Sequence, residues 1–158
     1  MKADPELLKR LHFRQAIADD LPVLLRLLAD DDLGKNREAI GSAEPIYQQA
    51  FDSINADKNQ YLLVAELDNA VIAMLQLSFI PGLSRRGAWR ALIEAVRVAS
   101  HLRGRGIGRA LMQQALQLAQ ARDCKLVQLT SDKQRADAHR FYSELGFVDS
   151  HLGFKRSL

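Results

Sequence analysis

The sequence predicts an α/β fold in which a mixed sheet carries helices on both faces. Segments of strand length and segments of helical period alternate along the whole chain, the pattern of an α/β layer architecture. Gln60–Leu67 and Ala70–Ile80 flank Asp68-Asn69, a tight-turn dipeptide, and read as a β-hairpin. Trp89–Ala99 is apolar on both faces, as a central strand must be.

The remaining elements follow in order. Leu11–Ala16 reads as a short first strand. Asp19 or Asp20 caps a helix over Leu21–Ala29, whose first turn tolerates Pro22. Asp30–Glu44 is polar, contains Gly34 and Gly41, and reads as a loop or a broken helix. Pro45 opens a helix through about Ile54, with Ile46, Tyr47, Ala50, Phe51 and Ile54 at helical spacing. After the hairpin, Pro81–Gly87 is a second, arginine-rich turn leading into the central strand. The helix Ile107–Arg122 sets Leu111, Ala115 and Leu118 on one stripe. Lys125–Thr130 is a strand and Ala136–Leu145 a helix. Phe147–Ser150 and Gly153–Arg156 read as terminal strands, for six strands or, with the last, seven.

A chain of 158 residues fits one domain spanning 1–158, large enough to bury a core without disulfides. Its one cysteine, Cys124, precedes an apolar strand and reads as a packed thiol. No apolar run approaches a membrane span, and Met-Lys-Ala-Asp-Pro-Glu is no signal peptide, so the cytoplasm is the expected compartment. The net charge is only +3, yet arginines cluster between Arg85 and Arg109. That local bias suits a small anionic ligand and argues against a nucleic-acid footprint, which needs a broader basic surface. No Cys/His/Asp cluster has metal-ligand spacing, and His101 and His139 read as surface groups.

Residues 103–109 read Arg-Gly-Arg-Gly-Ile-Gly-Arg, between an apolar strand and an amphipathic helix. Three glycines in five residues allow close backbone approach, and the helix start offers unpaired N–H groups and a positive dipole end. Such a segment either cradles a pyrophosphate or is a plain solvated turn. A P-loop is excluded, because Arg109 and Ala110 follow Gly108 where Lys and Ser/Thr are needed. A dinucleotide fingerprint fails at Leu111, where a third Gly or Ala belongs. What fits is Arg103-x-x-Gly106-x-Gly108. The register Arg105-x-x-Gly108-x-Ala110 also satisfies the pattern, but the first leaves Ile107 and Leu111 to begin the buried stripe.

Further on, the chain reads Ala138-His139-Arg140-Phe141-Tyr142-Ser143-Glu144-Leu145-Gly146-Phe147. Gly146 suits a helix C-terminal cap, with Phe147 opening an extended segment. Together the two motifs resemble the signatures of the GNAT superfamily of N-acetyltransferases: the Gln/Arg-x-x-Gly-x-Gly/Ala pyrophosphate loop, then Ala-x-x-x-Tyr ending in Leu-Gly-Phe. The resemblance covers residues 60–158 well and the first 60 loosely. It implies a mostly antiparallel central sheet in which two parallel strands splay apart to admit pantetheine. It also implies direct acetyl transfer from acetyl-CoA to an amine.

Three groups serve that chemistry: a base for the amine proton, a donor for the oxyanion and an acid for the sulfur. Glu94, inside Leu92–Val96, is the candidate base, in a strand where desolvation would raise its proton affinity toward the working range. The alternative is a structural ion pair with Arg90 or Arg97. Tyr142 is the candidate acid, at the tyrosine of the family motif; the alternative is a packed core aromatic. The oxyanion donor is expected to be a backbone N–H near Val96–Val98, where the family uses a bulged strand. The resemblance further implies acyl-CoA contacts from Val96, Val98, Arg103, Gly104, Arg105, Gly106, Gly108 and Arg109. Arg135 stands where the family often has Asn, and is assigned to the cofactor as well.

The acceptor is expected to be a small-molecule or amino-acid-like primary amine. A protein lysine or N-terminus is the rival acceptor, and a non-catalytic acyl-CoA-binding regulator the rival class. The latter is disfavoured by the presence of both Glu94 and Tyr142 and by the lack of a helix-turn-helix pattern. A homodimer is compatible with the sequence.

Overall fold

The hairpin at the sheet centre is closed by two residues in the left-handed region. Asp68 and Asn69 have φ of +51° and +66°, as both central residues of a type I′ turn require, and Asp and Asn tolerate that conformation better than most residues. The computed structural model describes residues 3–30 and 45–158. Its strands are β1 (Leu11–Gln15), β2 (Gln60–Leu67), β3 (Ala70–Ile80), β4 (Arg90–Val98) and β5 (Leu126–Leu129). Its helices, of four residues or more and right-handed, are α1 (Pro5–Lys9), α2 (Leu21–Ala29), α3 (Pro45–Ala56), α4 (Ile107–Ala121) and α5 (Ala136–Glu144). The loop expected at Asp30–Glu44 lies, beyond Asp30 itself, outside the described residues.

The strands lie in the order β1-β2-β3-β4-β5. The first three pairings are antiparallel and β4–β5 is parallel, with α4 supplying the crossover that a parallel pair needs. Residues 62–65 of β2 and 72–75 of β3 are buried without alternation, so the sheet centre is covered on both faces. Cross-strand pairing puts Leu77 beside Ile93 and Phe79 beside Ala91, all buried. Arg122, at the end of α4, stacks 4.5 Å above the Phe79 ring, which identifies this as the α4 face. The helix meets it with Ile107, Leu111, Met112, Ala115 and Ala119, a stripe at i, i+4, i+5, i+8 and i+12. Helix α2 touches β3 and β4, while α3 touches β2 and buries only Phe51.

The structure corrects the sequence reading in three places. The first is α1, which was not expected: Asp4 caps it by accepting the Leu7 N–H at 3.1 Å, with Pro5 in its first turn. Five residues are too few for helical periodicity to register. The second is the strand count, which is five among the described residues. The segments Phe147–Ser150 and Gly153–Arg156 form no ladder; Val148, Leu152 and Phe154 are largely exposed, although Gly153 comes alongside Thr130. Alternating polarity specifies a strand only where one face finds a core to lie on, and these side chains find none. The third is Pro81–Gly87, which is a turn as expected but winds left-handed through Arg85, Arg86 and Gly87 at φ +53°, +62° and +76°.

One ion-pair network ties the first strand to the hairpin. Arg14 of β1 donates to both Asp20 oxygens at 2.6 and 3.0 Å and to Glu66 of β2 at 2.6 and 2.9 Å. Asp20 is buried and also accepts the Ile17 N–H at 2.8 Å. The Arg14 hydrogen bonds hold the carboxyls of both Asp20 and Glu66 below their ordinary values, against the opposing effect of burial. Depressed carboxyl values stabilise the fold above the unfolded-state pKa, near 4, and that contribution is lost as pH falls through the folded-state values. Stability should therefore drop on acidification below about pH 4. Asp20→Asn should lose about 2 kcal/mol at neutral pH, with a flatter acid limb, since it leaves a half-buried guanidinium with Glu66 as its one carboxylate partner. Urea unfolding from pH 3 to 8 reads this directly, and parallel pH profiles for the two proteins would refute it.

Candidate active site

The two halves of β4 are bonded differently. From Arg90 to Ile93 it pairs with β3 on one side and with β5 on the other, the β5 ladder running from Arg90↔Leu126 to Ile93↔Leu129. There β5 ends, while β4 continues through Glu94 to Val98 paired with β3 alone. The two parallel strands thus part company at Glu94, leaving the edge of residues 94–98 open. The ladder ends at the level of the sheet where the family resemblance implied a splay.

At the same level β4 is bulged. Glu94 faces Gln76 and Arg97 faces Met74, so Ala95 and Val96 together oppose the single residue Leu75. Ala95 takes φ of +54°, a left-handed conformation that costs a residue with a β-carbon about 1 kcal/mol. An extra residue in one strand leaves local backbone groups out of the ladder and re-aims the chain. This is the bulge anticipated near Val96–Val98, and composition alone could not locate it.

Helices α4 and α5 converge on the open half of β4. A β-carbon at Gly108, in the first turn of α4, would lie 3.4 Å from Phe141 of α5 and 3.8 Å from Val98 of β4. Tyr142 follows Phe141 and is held edge-on between Phe141 and Phe147, with centroids at 5.2 and 6.1 Å. Burial pushes its phenol above the ordinary value, opposed by the charges of Arg135 and Arg97. Arg135 caps α5 two helical turns before Tyr142, and Arg97 lies just past the bulge.

Glu94 is exposed, which overturns the expectation that its strand position would desolvate it. Among the described residues it takes no ion-pair partner, so the alternative pairing with Arg90 or Arg97 is not formed; Arg97 donates instead to the Val96 carbonyl at 2.9 Å. Cross-strand pairing sets Glu94 beside Gln76, and Leu92 beside Ser78, on the face opposite α4. There Gln60 Oε1 accepts from Gln76 Nε2 and Ser78 Oγ, both at 2.9 Å. This polar strip escaped the sequence reading because its members come from three strands.

The Gly/Arg loop turns left-handed at Gly104 and Gly106, with φ of +76° and +92°. Gly106 is the N-cap of α4, whose first N–H groups have no acceptor within the helix. Its side of closest approach, however, is filled by the protein: a β-carbon there would meet Ala3 at 3.1 Å and Leu8 at 3.3 Å. The three arginines are likewise engaged. Arg103 donates to the Val98 carbonyl at 2.9 Å and to the Asp30 carbonyl. Arg105 pairs with Asp4 at 2.6 Å and Arg109 with Glu144 at 3.1 Å. Burial would raise Asp30, but the Ser100 N–H at 2.7 Å, the Ser100 hydroxyl and the charge of Arg103 outweigh it and hold the carboxyl low. The three arginines that the resemblance assigned to acyl-CoA thus each have a partner within the protein.

His139 Nε2 lies 2.7 Å from the Asp132 carbonyl and His101 is exposed. No group of three or more potential metal ligands occurs among the described residues. No helix among them is long and apolar enough to cross a membrane.

The sequence profile of the acetyltransferase (GNAT) family matches residues 24–147. An aminoalkylphosphonate N-acetyltransferase of Salmonella typhimurium is 29% identical over 112 residues, covering 71% of this chain and 72% of its own. An uncharacterised N-acetyltransferase of Bacillus subtilis is 26% identical over 147 residues, covering 92% and 94%. A solved structure described as a transcriptional regulator from Bacillus halodurans C-125 is similar with a TM-score of 0.90 at 46% identity, covering 94% of this chain and 99% of its own. The matched residues run from α2 past the parted strands to the Leu-Gly-Phe end of the Tyr142 helix, and the chain therefore belongs to the GNAT family of N-acetyltransferases.

Proposed function

We propose that this enzyme transfers an acetyl group from acetyl-CoA directly to the primary amine of a small-molecule or amino-acid-like acceptor. The observation that carries the reading is the parting of β4 and β5 at Glu94, with the first turn of α4 and the Tyr142 helix gathered on the open strand half. An extended thioester arm fits such an opening, because unpaired strand N–H and C=O groups can bond to its amides as a further strand would. Its pyrophosphate fits the start of α4, where free N–H groups and the helix dipole favour an anion. Gly104, Gly106 and Gly108 allow the close approach, with Arg103, Arg105, Arg109 and Arg135 as the surrounding cations. Cytoplasmic location belongs to the same reading.

When bound, acetyl-CoA supplies the activated acyl group. Glu94 removes a proton from the incoming ammonium, directly or through one water, so that a neutral amine attacks. Its exposure suits a base that exchanges protons with solvent. A backbone N–H near Val96–Val98, beside the bulge at Ala95 and Val96, donates to the carbonyl oxygen as negative charge builds on it. As the carbon–nitrogen bond forms and the carbon–sulfur bond breaks, the Tyr142 hydroxyl donates its proton to sulfur, and the proton that the acylated nitrogen sheds restores the phenol. A phenol raised by burial stays protonated at neutral pH, as an acid for this step must.

The acceptor preference draws support from the Salmonella relative, whose name specifies a small aminoalkylphosphonate. The description of the Bacillus halodurans structure favours a second reading, a regulator that binds acyl-CoA without turning it over. Thiol release from acetyl-CoA across a panel of amines, amino acids and peptides separates the two. Release above the uncatalysed background with a small amine supports the enzyme; CoA binding without release from any acceptor overturns it.

Glu94→Gln should lower kcat/KM about 10²-fold and shift or abolish the acid limb of the rate profile, as loss of a general base does. Near-wild-type rates at neutral pH would make Glu94 a bystander. Tyr142→Phe keeps the ring between Phe141 and Phe147, so melting should change little while turnover falls roughly 10- to 10³-fold. CoA affinity should change less than turnover, because the hydroxyl matters most once charge develops on sulfur; an equal loss in both would reduce Tyr142 to a binding contact.

A further inference from the structure

We propose that the N-terminal segment is part of the acyl-CoA site, with Asp4 a positioning residue that sets the Arg105–Gly106 corner; this rests on the acyl-CoA reading above. Three contacts join residues far apart in the chain. The Asp4 N–H donates to the Arg105 carbonyl at 3.1 Å. Arg105 Nη2 donates back to Asp4 Oδ2 at 2.6 Å. Ala3 and Leu8 close against Gly106 so tightly that a β-carbon there would reach 3.1 Å from Ala3. The other oxygen of Asp4 accepts the Leu7 N–H at 3.1 Å and so caps α1. One carboxylate thereby holds the short helix and the loop together. The Arg105 hydrogen bond and then the Leu7 N–H hold its carboxyl below the ordinary value, so it is ionised throughout the neutral range.

The physical need for such a strap lies in the loop's composition. Gly104, Gly106 and Gly108 let the backbone reach an anion, but each also enlarges the set of conformations the empty loop can sample. A loop that must order itself on binding loses affinity by that ordering. Fixing the Arg105 carbonyl and filling the space beside Gly106 pre-orders the corner from which α4 begins; the Gly106 carbonyl already accepts the Ala110 N–H at 3.1 Å. On this view the Arg105 side chain works chiefly as a latch on Asp4. A competing role for Asp4, as a carboxylate that occupies Arg105 and must be displaced by phosphate, predicts the opposite sign.

Titration calorimetry of the full chain with CoA decides the sign. Asp4→Asn retains an N-cap acceptor for Leu7 while removing the negative charge that pairs with Arg105. It should weaken CoA binding about tenfold, the scale of one ordered charge-assisted contact. At saturating acyl-CoA its kcat and its KM for amine should match wild type. Glu6→Gln, on the same helix but paired among the described residues with Lys9, controls for charge and should bind CoA normally. Arg105→Lys keeps the cation on the loop but loses the fork, and should weaken binding by an intermediate factor even should the Asp4 variant fold poorly. Adding Arg105→Gln to Asp4→Asn should cost little more, since the pair acts as a unit. Unchanged or tighter CoA binding by Asp4→Asn overturns the strap while leaving the acyl-CoA reading intact. Absence of CoA binding by wild type overturns both.

Discussion

Strand β4 is hydrogen-bonded on both sides from Arg90 to Ile93 and on one side from Glu94 to Val98, and the candidate site is arranged around that change. Beyond Ile93 the strand is exposed at Glu94 and only partly buried from Ala95 to Val98, so the N–H and C=O groups that β5 leaves unpaired are not shut into a dry interior. The rest of the chain holds that edge in place. The doubly paired half is anchored by Ala91 and Ile93 on the α4 face, both buried. The bulge at Ala95 falls where the second ladder stops, so the strain of a left-handed alanine and the loss of pairing are concentrated at one level of the sheet. Helix α4, whose stripe is fixed by the same core, then delivers Gly108 and its free N–H groups to Val98.

The parts of this arrangement that were legible in the sequence are those governed by local rules. Asp68-Asn69 declares its turn because few residue pairs accept left-handed conformations at both positions. Helix α4 declares itself through a stripe of three or four residues' spacing, and Gly106 through the helix start it caps. What was not legible depends on contacts between distant segments. The bulge is set by a register shift between β3 and β4, and neither strand encodes it alone. Helix α1 has a local cap, Asp4 on Leu7, but Asp4 also pairs with Arg105, about a hundred positions away. The exposure of Glu94 depends on what packs over β4, and its apolar neighbours Ile93 and Ala95 pointed the other way. The terminal strands were read from alternation, which states a preference but supplies no partner edge.

The two sides of the sheet divide the chemistry in a way that polarity alone would not demand. The α4 face is hydrocarbon, with Leu75, Leu77 and Ile93 each at most 2% exposed. The opposite face sets Gln60, Gln76 and Ser78 into a hydrogen-bonded cluster beside Glu94. A well-packed apolar strip of equal volume would be at least as stable. The polar strip is therefore not required by the fold, and it lies beside Glu94; on the proposed reading it would border the acceptor.

The same reasoning ranks the arginines of the loop. Arg109 and Glu144 are 44% and 66% exposed, and a pair that wet contributes little and exchanges readily with another anion. Arg103 is bound to two carbonyl oxygens besides the Asp30 carboxylate, and releasing it would strand the Val98 carbonyl at the end of the open strand. Arg105 and Asp4 sit between these extremes, at 38% and 34% exposed, and are further joined through the backbone. On the acyl-CoA reading proposed above, a phosphate at the loop would therefore meet a graded set of cations rather than three equal ones, with Arg109 freest to turn toward it. Fixed backbone donors would supply the geometry of the cradle. The side-chain charges then set how strongly its affinity depends on salt, because exposed pairs are screened and half-buried ones are screened less.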